Sequence, residues 1–318
     1  MAGFDNGSQQ GGVFFQAKQF GAILRGFGPP VPQAGVMGDL YIDVQTWQLF
    51  NKRSTTASDD IDPWGHYLFV VPLAYRTALK WFNSYPPTND IGQIGDYCII
   101  GHPAGGHWAQ KPVHIRRGST IRSHSVIYQG SEFGPVLETG HHALIREGTI
   151  AGQNLRVGSF SDIEGDCEIG DFCRFHGYTH VGRGSKIGHL VWLYSLTTLT
   201  NDPLPPSEAE APVTIEDGVV VCVGAIVMPG EILRRGSFVC AQAMASGDVP
   251  PGAVVSGPNG QILTHVSRLM SPQYGLQHPW MGHYRRGYPP EALARISALK
   301  EAIITDRDAF MQRYMSKG

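Results

Sequence analysis

The stretch Ile163-Glu164-Gly165-Asp166-Cys167-Glu168-Ile169-Gly170-Asp171-Phe172-Cys173-Arg174-Phe175 decides the fold. Its large apolar residues Ile163, Ile169 and Phe175 stand six apart, and a small residue, Cys167 or Cys173, holds the fifth place of each hexad. Followed outward, the beat runs from Ile115 through Ile121, Ile127, Phe133, Thr139, Ile145, Ala151 and Val157, and on to Val181, Ile187, Leu193 and Leu199. Only Thr139 and Ala151 depart from large apolar character, while Thr149, Ser161, Thr179, Ser185 and Thr197 repeat the small fifth place. A helix repeats at about 3.6 residues and a strand at about 2, so neither alone gives six. Short strands joined by tight corners do: each hexad makes one side of a triangular prism, its first residue pointing to the axis. The small fifth residue lets the corner close.

After Leu199 the beat stops and resumes in a new phase at Ile215, Val221, Val227, Leu233 and Val239, with Ala225, Ser237 and Ala243 in the small place. The interruption, Asn201-Asp202-Pro203-Leu204-Pro205-Pro206-Ser207-Glu208-Ala209-Glu210-Ala211-Pro212, is too rich in proline to continue the coil. It reads as a loop pushed out of the prism.

From about Ile115 to Leu269 the chain resembles the hexapeptide-repeat acyltransferases, which fold as left-handed parallel β-helices. Thr139-Gly140-His141-His142-Ala143-Leu144-Ile145-Arg146-Glu147 is similar to a first coil of the sugar-acyltransferase branch, and Leu199-Thr200-Asn201-Asp202 to that branch's active-site loop. Asp248-Val249-Pro250-Pro251-Gly252-Ala253-Val254-Val255 resembles the family's exit from its last coil. The resemblance implies a homotrimer with acetyl-CoA in the groove between neighbouring prisms. Two departures stand out: Gln261 sits where the family usually carries a basic residue, and Glu231 occupies a small fifth place.

Acyl transfer from a thioester needs a base for the acceptor's proton and a donor for the oxyanion. On the resemblance, His141 or His142 supplies the base, with Glu147 as a candidate to orient it. Asn201 is a candidate oxyanion or sugar donor and Asp202 a candidate acceptor ligand. Gly224, Ala225, Ala241, Ala243 and Gln261 are the candidate cofactor contacts. The repeat register turns His176 and His180 outward. The histidines lack close carboxylate or thiolate spacing, so no metal site is expected.

The rest of the chain sets the context. The 25 basic and 27 acidic residues predict attraction to neither nucleic acid nor membrane. No apolar run reaches the length of a membrane span, and no signal peptide is expected. Cys167 and Cys173 read as buried packing thiols, consistent with folding in a reducing cytoplasm. Residues 1–34, rich in Gly, Gln and Phe, read as an attachment arm. Within 35–111, Gly35-Val36-Met37-Gly38-Asp39-Leu40-Tyr41-Ile42 is echoed by Gly92-Gln93-Ile94-Gly95-Asp96-Tyr97-Cys98-Ile99. Each copy precedes an aromatic stretch, Trp47–Lys52 or His107–Lys111, and reads as a β-hairpin. The first copy resembles hairpin modules of phage tail-fibre and other virion proteins. The prism is expected over 112–269 and a linker with a helix over 270–318, the helix opening at Pro289-Pro290-Glu291 with Leu293, Ile296, Leu299 and Ile303 on its buried face.

The expected fold is therefore mainly β: a left-handed parallel β-helix with an N-terminal hairpin module and a C-terminal helix. Two functions fit it. One is a homotrimeric virion structural protein without a cofactor, mounted on other virion proteins through residues 1–110 and meeting host glycans. The alternative is an acetyl-CoA-dependent acyltransferase acting on an amino or hydroxyl group of a sugar, in the cytoplasm. On sequence alone the balance falls on the first, because of the N-terminal third and Gln261.

Overall fold

The computed structural model describes residues 23–26, 40–43, 48–51, 69–70, 93–109, 111–271 and 288–315. The chain divides into two compact units, Met1–Lys80 and Trp81–Gly318. In the first, β1 (Ile23–Gly26) pairs in parallel with β2 (Leu40–Asp43), β2 turns back antiparallel onto β3 (Gln48–Asn51), and β4 (Phe69–Val70) closes the sheet. The hairpin expected from Gly38 onward is thus present, with Tyr41 opposite Phe50. Apart from β1, the expected arm falls outside the described residues.

The second unit is a parallel β-helix of about eight turns. Its strands, most of them two residues long, form three sheets of ten, eight and seven strands, the faces of a prism. Cross-strand partners stand one coil of eighteen residues apart, as in Glu138 with Arg156 and Asp162 with His180. Every first-place residue from Ile115 to Val239 is buried, including Thr139 and Ala151. Thr139 is satisfied inside by the amide of Arg122, at 2.9 Å, and Ala151 lies directly over the bulky Phe133.

The fifth place does more than save space. Ser119, Thr149, Thr179 and Ser185 each donate a hydroxyl to the carbonyl three residues back, at 2.7, 3.0, 2.7 and 2.6 Å. A buried corner carbonyl is thereby satisfied. Cys173 bonds the Gly188 carbonyl at 3.1 Å. Burial pushes the Cys167 thiol up to about 11 and Cys173 to about 12, so both are inert packing groups. Glu231 is only half-buried, which avoids the cost of a carboxylate at the axis.

The 201–212 segment is extruded as expected. Trp192 pairs with Val220 and Thr198 with Ile226, twenty-eight positions on instead of eighteen, so the coil continues as though ten residues were absent. The second hairpin expected near residue 92 does not form. Gln93–Ile94 and Ile99–His102 join the ten- and eight-stranded faces in parallel with Thr120–Ile121 and Val126–Tyr128, and His107–Trp108 lie in a short 3-10 turn. The reason is in the sequence: Ile94-Gly95-Asp96-Tyr97-Cys98 fills the first five places of a hexad as Ile169-Gly170-Asp171-Phe172-Cys173 does, with Cys98 buried at the fifth. The prism therefore begins near Gln93.

Helix α1 (Pro290–Thr305) starts behind Pro289 with Glu291 in its first turn. It buries Ala292, Ile296, Leu299 and Ile303 against Phe172, Leu190, Val220 and Val254; Leu293, expected on this face, is exposed and Ala292 takes its place. Leu299 and Ile303 sit on the corners at Gly218 and Gly236, where φ is +68° and +65° and a Cβ would collide with them. Beyond the helix, Phe310 joins the core of the prism, with Met311 and Tyr314 packed beside it. Among the described residues, no helix is long and apolar enough to cross a membrane.

Stacking of first-place residues makes the core sensitive to cavities. Ile163→Ala is expected to lower the unfolding free energy by about 2–5 kcal/mol, read from the urea midpoint. Glu168→Ala on the outer face is expected to shift it by less than about 0.5 kcal/mol.

Candidate functional site

Outside the hexad that opens the 201–212 loop, the fourth place from Tyr97 to Gln242 has left-handed backbone, whether it is glycine or not: φ is +57° at His142, +58° at Phe160 and +61° at Tyr178. A side chain there is thrown outward from a prism edge. On the edge between the ten- and eight-stranded faces this builds a ladder of rings. Tyr97, His124, His142, Phe160 and Tyr178 stack in succession with centroids 4.9, 4.6, 4.8 and 5.1 Å apart, and Leu196 stands next in the series. The ladder is exposed, Tyr178 by 57%. The sequence reading missed it because its period is eighteen, the coil, rather than six.

His142 is therefore one rung of this ladder, held between His124 and Phe160. His141, one place earlier, turns elsewhere. Its Nδ1 lies 2.9 Å from Ser123 Oγ, and its backbone amide donates to Ser159 Oγ at 3.0 Å. Ser123, His141 and Ser159 are the third places of three successive coils. His141 and Ser159 border a groove of about 420 Å³ on the ten-stranded face, lined also by Arg122, Glu138, Arg156, His176 and Trp192.

Charge in the groove is arranged by cross-strand pairing. Glu138 is held by Arg122 at 2.6 Å and Arg156 at 3.0 Å. Arg174, next in the same column and only 4% exposed, donates to the carbonyls of Asn154 and Cys173 at 2.5 and 2.9 Å and lies over the Tyr288 ring. Tyr288 accepts a hydrogen bond from Trp192 Nε1 at 2.5 Å, and burial pushes its hydroxyl up to about 12, so it stays protonated. His176 stacks on Tyr194 with centroids 4.5 Å apart, and its partial burial lowers its pKa, favouring the neutral ring.

The other sequence candidates lie elsewhere. Glu147 is 7% exposed, and its carboxylate is taken by Arg146 at 2.8 Å and Arg183 at 3.6 Å, on the next edge; it does not orient His141 or His142. Asn201 starts the extruded loop, and its carbonyl accepts from Ala211 N at 2.7 Å to close the loop's base. Asp202 works inside that loop. Its carboxylate accepts from Ser207 Oγ at 2.6 Å, Leu204 N at 2.9 Å and Ser207 N at 3.0 Å, and the Ser207 hydroxyl is the main reason its pKa is lowered. Asn201 and His141 belong to different edges of one prism. Of the candidate cofactor contacts, Ala225 and Ala243 point into the core and offer no side chain to a ligand, whereas Ala241 and Gln261 are exposed and Gly224 is an outer corner.

No protein-family profile matches the chain. Bifunctional protein GlmU of Shouchella clausii is 28% identical over 195 residues, covering 56% of this chain and 37% of that protein. The 2,3,4,5-tetrahydropyridine-2,6-dicarboxylate N-acetyltransferase of Staphylococcus aureus is 31% identical over 90 residues, covering 28% of this chain and 32% of the relative. The chain thus spans about a third of the length of these curated relatives. Among solved structures, a single-residue mutant of AntD, an N-acyltransferase from Bacillus cereus in complex with dTDP and coenzyme A, aligns at 15% identity with a TM-score of 0.35, over 57% of this chain and 90% of that one.

The role of Asp202 is open to test. Because its folded pKa is depressed, its hold on the loop is complete above the ordinary carboxylate range and is lost as pH falls through the lower folded value. Asp202→Ala is expected to raise the rate of proteolysis within residues 203–210 several-fold at neutral pH while leaving the melting temperature of the prism unchanged.

Proposed function

We propose that this chain, whose repeat domain is the hexapeptide-repeat β-helix of the acyltransferase family, transfers an acyl group from an acyl-CoA thioester to an amino or hydroxyl group of a sugar. The observation that carries the reading is His141: an exposed imidazole, tethered through Nδ1 to Ser123, at the border of a groove lined with arginine. With Nδ1–H donated to Ser123 Oγ, Nε2 holds the lone pair. It takes the proton of the acceptor as the acceptor's nitrogen or oxygen attacks the thioester carbonyl. Collapse of the tetrahedral intermediate breaks the carbon–sulfur bond, and the imidazolium returns the proton to the leaving thiolate. Arg122 and Arg156, each paired with Glu138, suit anionic groups of the substrates.

The N-acetyltransferase relative supports this reading over the virion component suggested by the N-terminal hairpin. It also gives the loop a role. His141 and Asn201 lie on separate edges, so they meet only if a second copy brings its loop to the groove. A homotrimer with its sites between chains, as the family resemblance implies, does this, and Asn201 then donates to the oxyanion.

The reading rests on a direct test. Titration calorimetry is expected to find stoichiometric acetyl-CoA binding per chain. His141→Ala should lower kcat/KM on the acceptor by about 10²–10⁴-fold without loss of assembly, while His142→Ala changes it only a few-fold. Absence of CoA binding at high concentration defeats the proposal. Mixed oligomers of His141→Ala and Asn201→Ala chains should regain part of the activity, because some interfaces then carry both intact residues. No recovery would place the reaction within one chain.

A further inference from the structure

The eight-stranded face carries a cluster that acyl transfer does not use. Asp162 and His180 are cross-strand partners in neighbouring coils, and Glu164 follows Asp162 by two positions. One imidazole therefore hangs between two carboxylates. His180 Nδ1 lies 3.6 Å from Asp162 Oδ2, and His180 Nε2 lies 3.9 Å from Glu164 Oε1. Both gaps exceed hydrogen-bond length. Yet one ligand atom from each of the three residues falls within 4.8 Å of the others. Asp162 Oδ1 is also buried without a hydrogen-bond partner.

Such spacing has a simple physical counterpart. Two donor atoms bound to one ion at about 2.0–2.2 Å, at a near-tetrahedral angle, stand about 3.3–3.6 Å apart. Only one ring nitrogen can face a single ion, so the two gaps are not both ligand separations; the three ligand atoms that could share an ion lie within 4.8 Å of one another and would close further on binding it. Nearby cations are engaged elsewhere: Arg146 turns to Glu147 at 2.8 Å, and Arg183 pairs with Asp166. The backbone amide of Arg183 donates to Glu164 Oε2 at 3.1 Å, which fixes that carboxylate and leaves Oε1 toward the imidazole.

We propose that Asp162, Glu164 and His180 bind a divalent transition-metal ion of the zinc type on the eight-stranded face of the prism. One imidazole and two carboxylates are a ligand set that zinc accepts, and three protein ligands leave a fourth position for water. Asn201 lies on the same face, beside Gly182, so the ion sits next to the base of the extruded loop. The site was invisible in the sequence because the coil, not the local spacing, brings position 180 beside 162.

The test uses the full chain, stripped with chelator and dialysed. Calorimetry with zinc chloride is expected to give one ion per chain, and cobalt(II) should develop a visible absorption band on binding. His180→Ala should abolish both signals, and the near-isosteric Asp162→Asn and Glu164→Gln should each raise the dissociation constant at least tenfold, with unchanged circular dichroism. Absence of binding by the wild-type chain would overturn the proposal, the trio then being an imidazolium between two carboxylates. Binding that persists equally in Asp162→Asn and Glu164→Gln would overturn it too, as an ion held elsewhere. Neither outcome bears on acyl transfer, which is read by acetyl-CoA binding and His141.

Discussion

The left-handed backbone at the fourth place of the hexad is the constraint on which the rest of the repeat depends. Outside glycine it costs roughly 1–2 kcal/mol per residue, and here it recurs at His124, Val136, His142, Asn154, Phe160 and onward. What offsets it is cooperative. Turning the corner in so few residues lets strands eighteen apart stack in register, which buries a first-place side chain at each step. The corner amides are also satisfied: Phe160 N donates to His141 O and Tyr178 N to Ser159 O, at 3.0 and 2.9 Å, so hydrogen bonds run along the edges as well as the faces.

The same corner conformation gives the prism three edges with different fates. Where the fourth place is Gly218 or Gly236, the edge is flat enough for α1 to lie on it, and Phe172 and Leu190 widen its apolar seat. Where it runs Gly130, Gly148 and Asp166 in successive coils, the inserted turn covers the edge through Trp108, which packs on the two glycines and whose Nε1 donates to Asp166 Oδ1 at 2.7 Å. The third edge carries the rings from Tyr97 to Tyr178 and stays exposed. One choice of residue at a single place in the repeat thus decides whether an edge is a seat, a hinge for inserted chain or a bare aromatic ridge.

The interior was legible in the sequence because inward burial imposes a period that no surface demand disturbs; even Thr139 and Ala151 kept their places. The loop and α1 were legible through proline and helical spacing. The start of the prism was not: nine extra residues between Gln93 and Thr120, relative to a plain coil, hide the hexad at Ile94 from a search in steps of six. The candidate site was harder. His141 and His142 are adjacent in sequence, but third and fourth places point to different surroundings, and only corner geometry separates a groove residue from a ladder rung. Glu147 looked free to orient a histidine until Arg146 and Arg183 claimed it. Whatever depends on the eighteen-residue return of the coil lies beyond local patterning.

A triangular prism is convex, and this limits what one chain can do. A shallow groove on a flat face excludes little water, and polar groups placed there act through a high dielectric. Enclosure has to come from something standing off the surface. Within 111–271 that is the 201–212 loop, stiffened by its prolines and by Asp202, which spends its carboxylate on Leu204 and Ser207. Asn201, at the loop's base, is left as the polar residue nearest the face. The loop leaves from one edge and His141 from another, so in the proposed reading the wall and the base of the site come from different chains. The physical demand for a closed site, and not only resemblance, is what ties the proposed chemistry to an assembly of prisms.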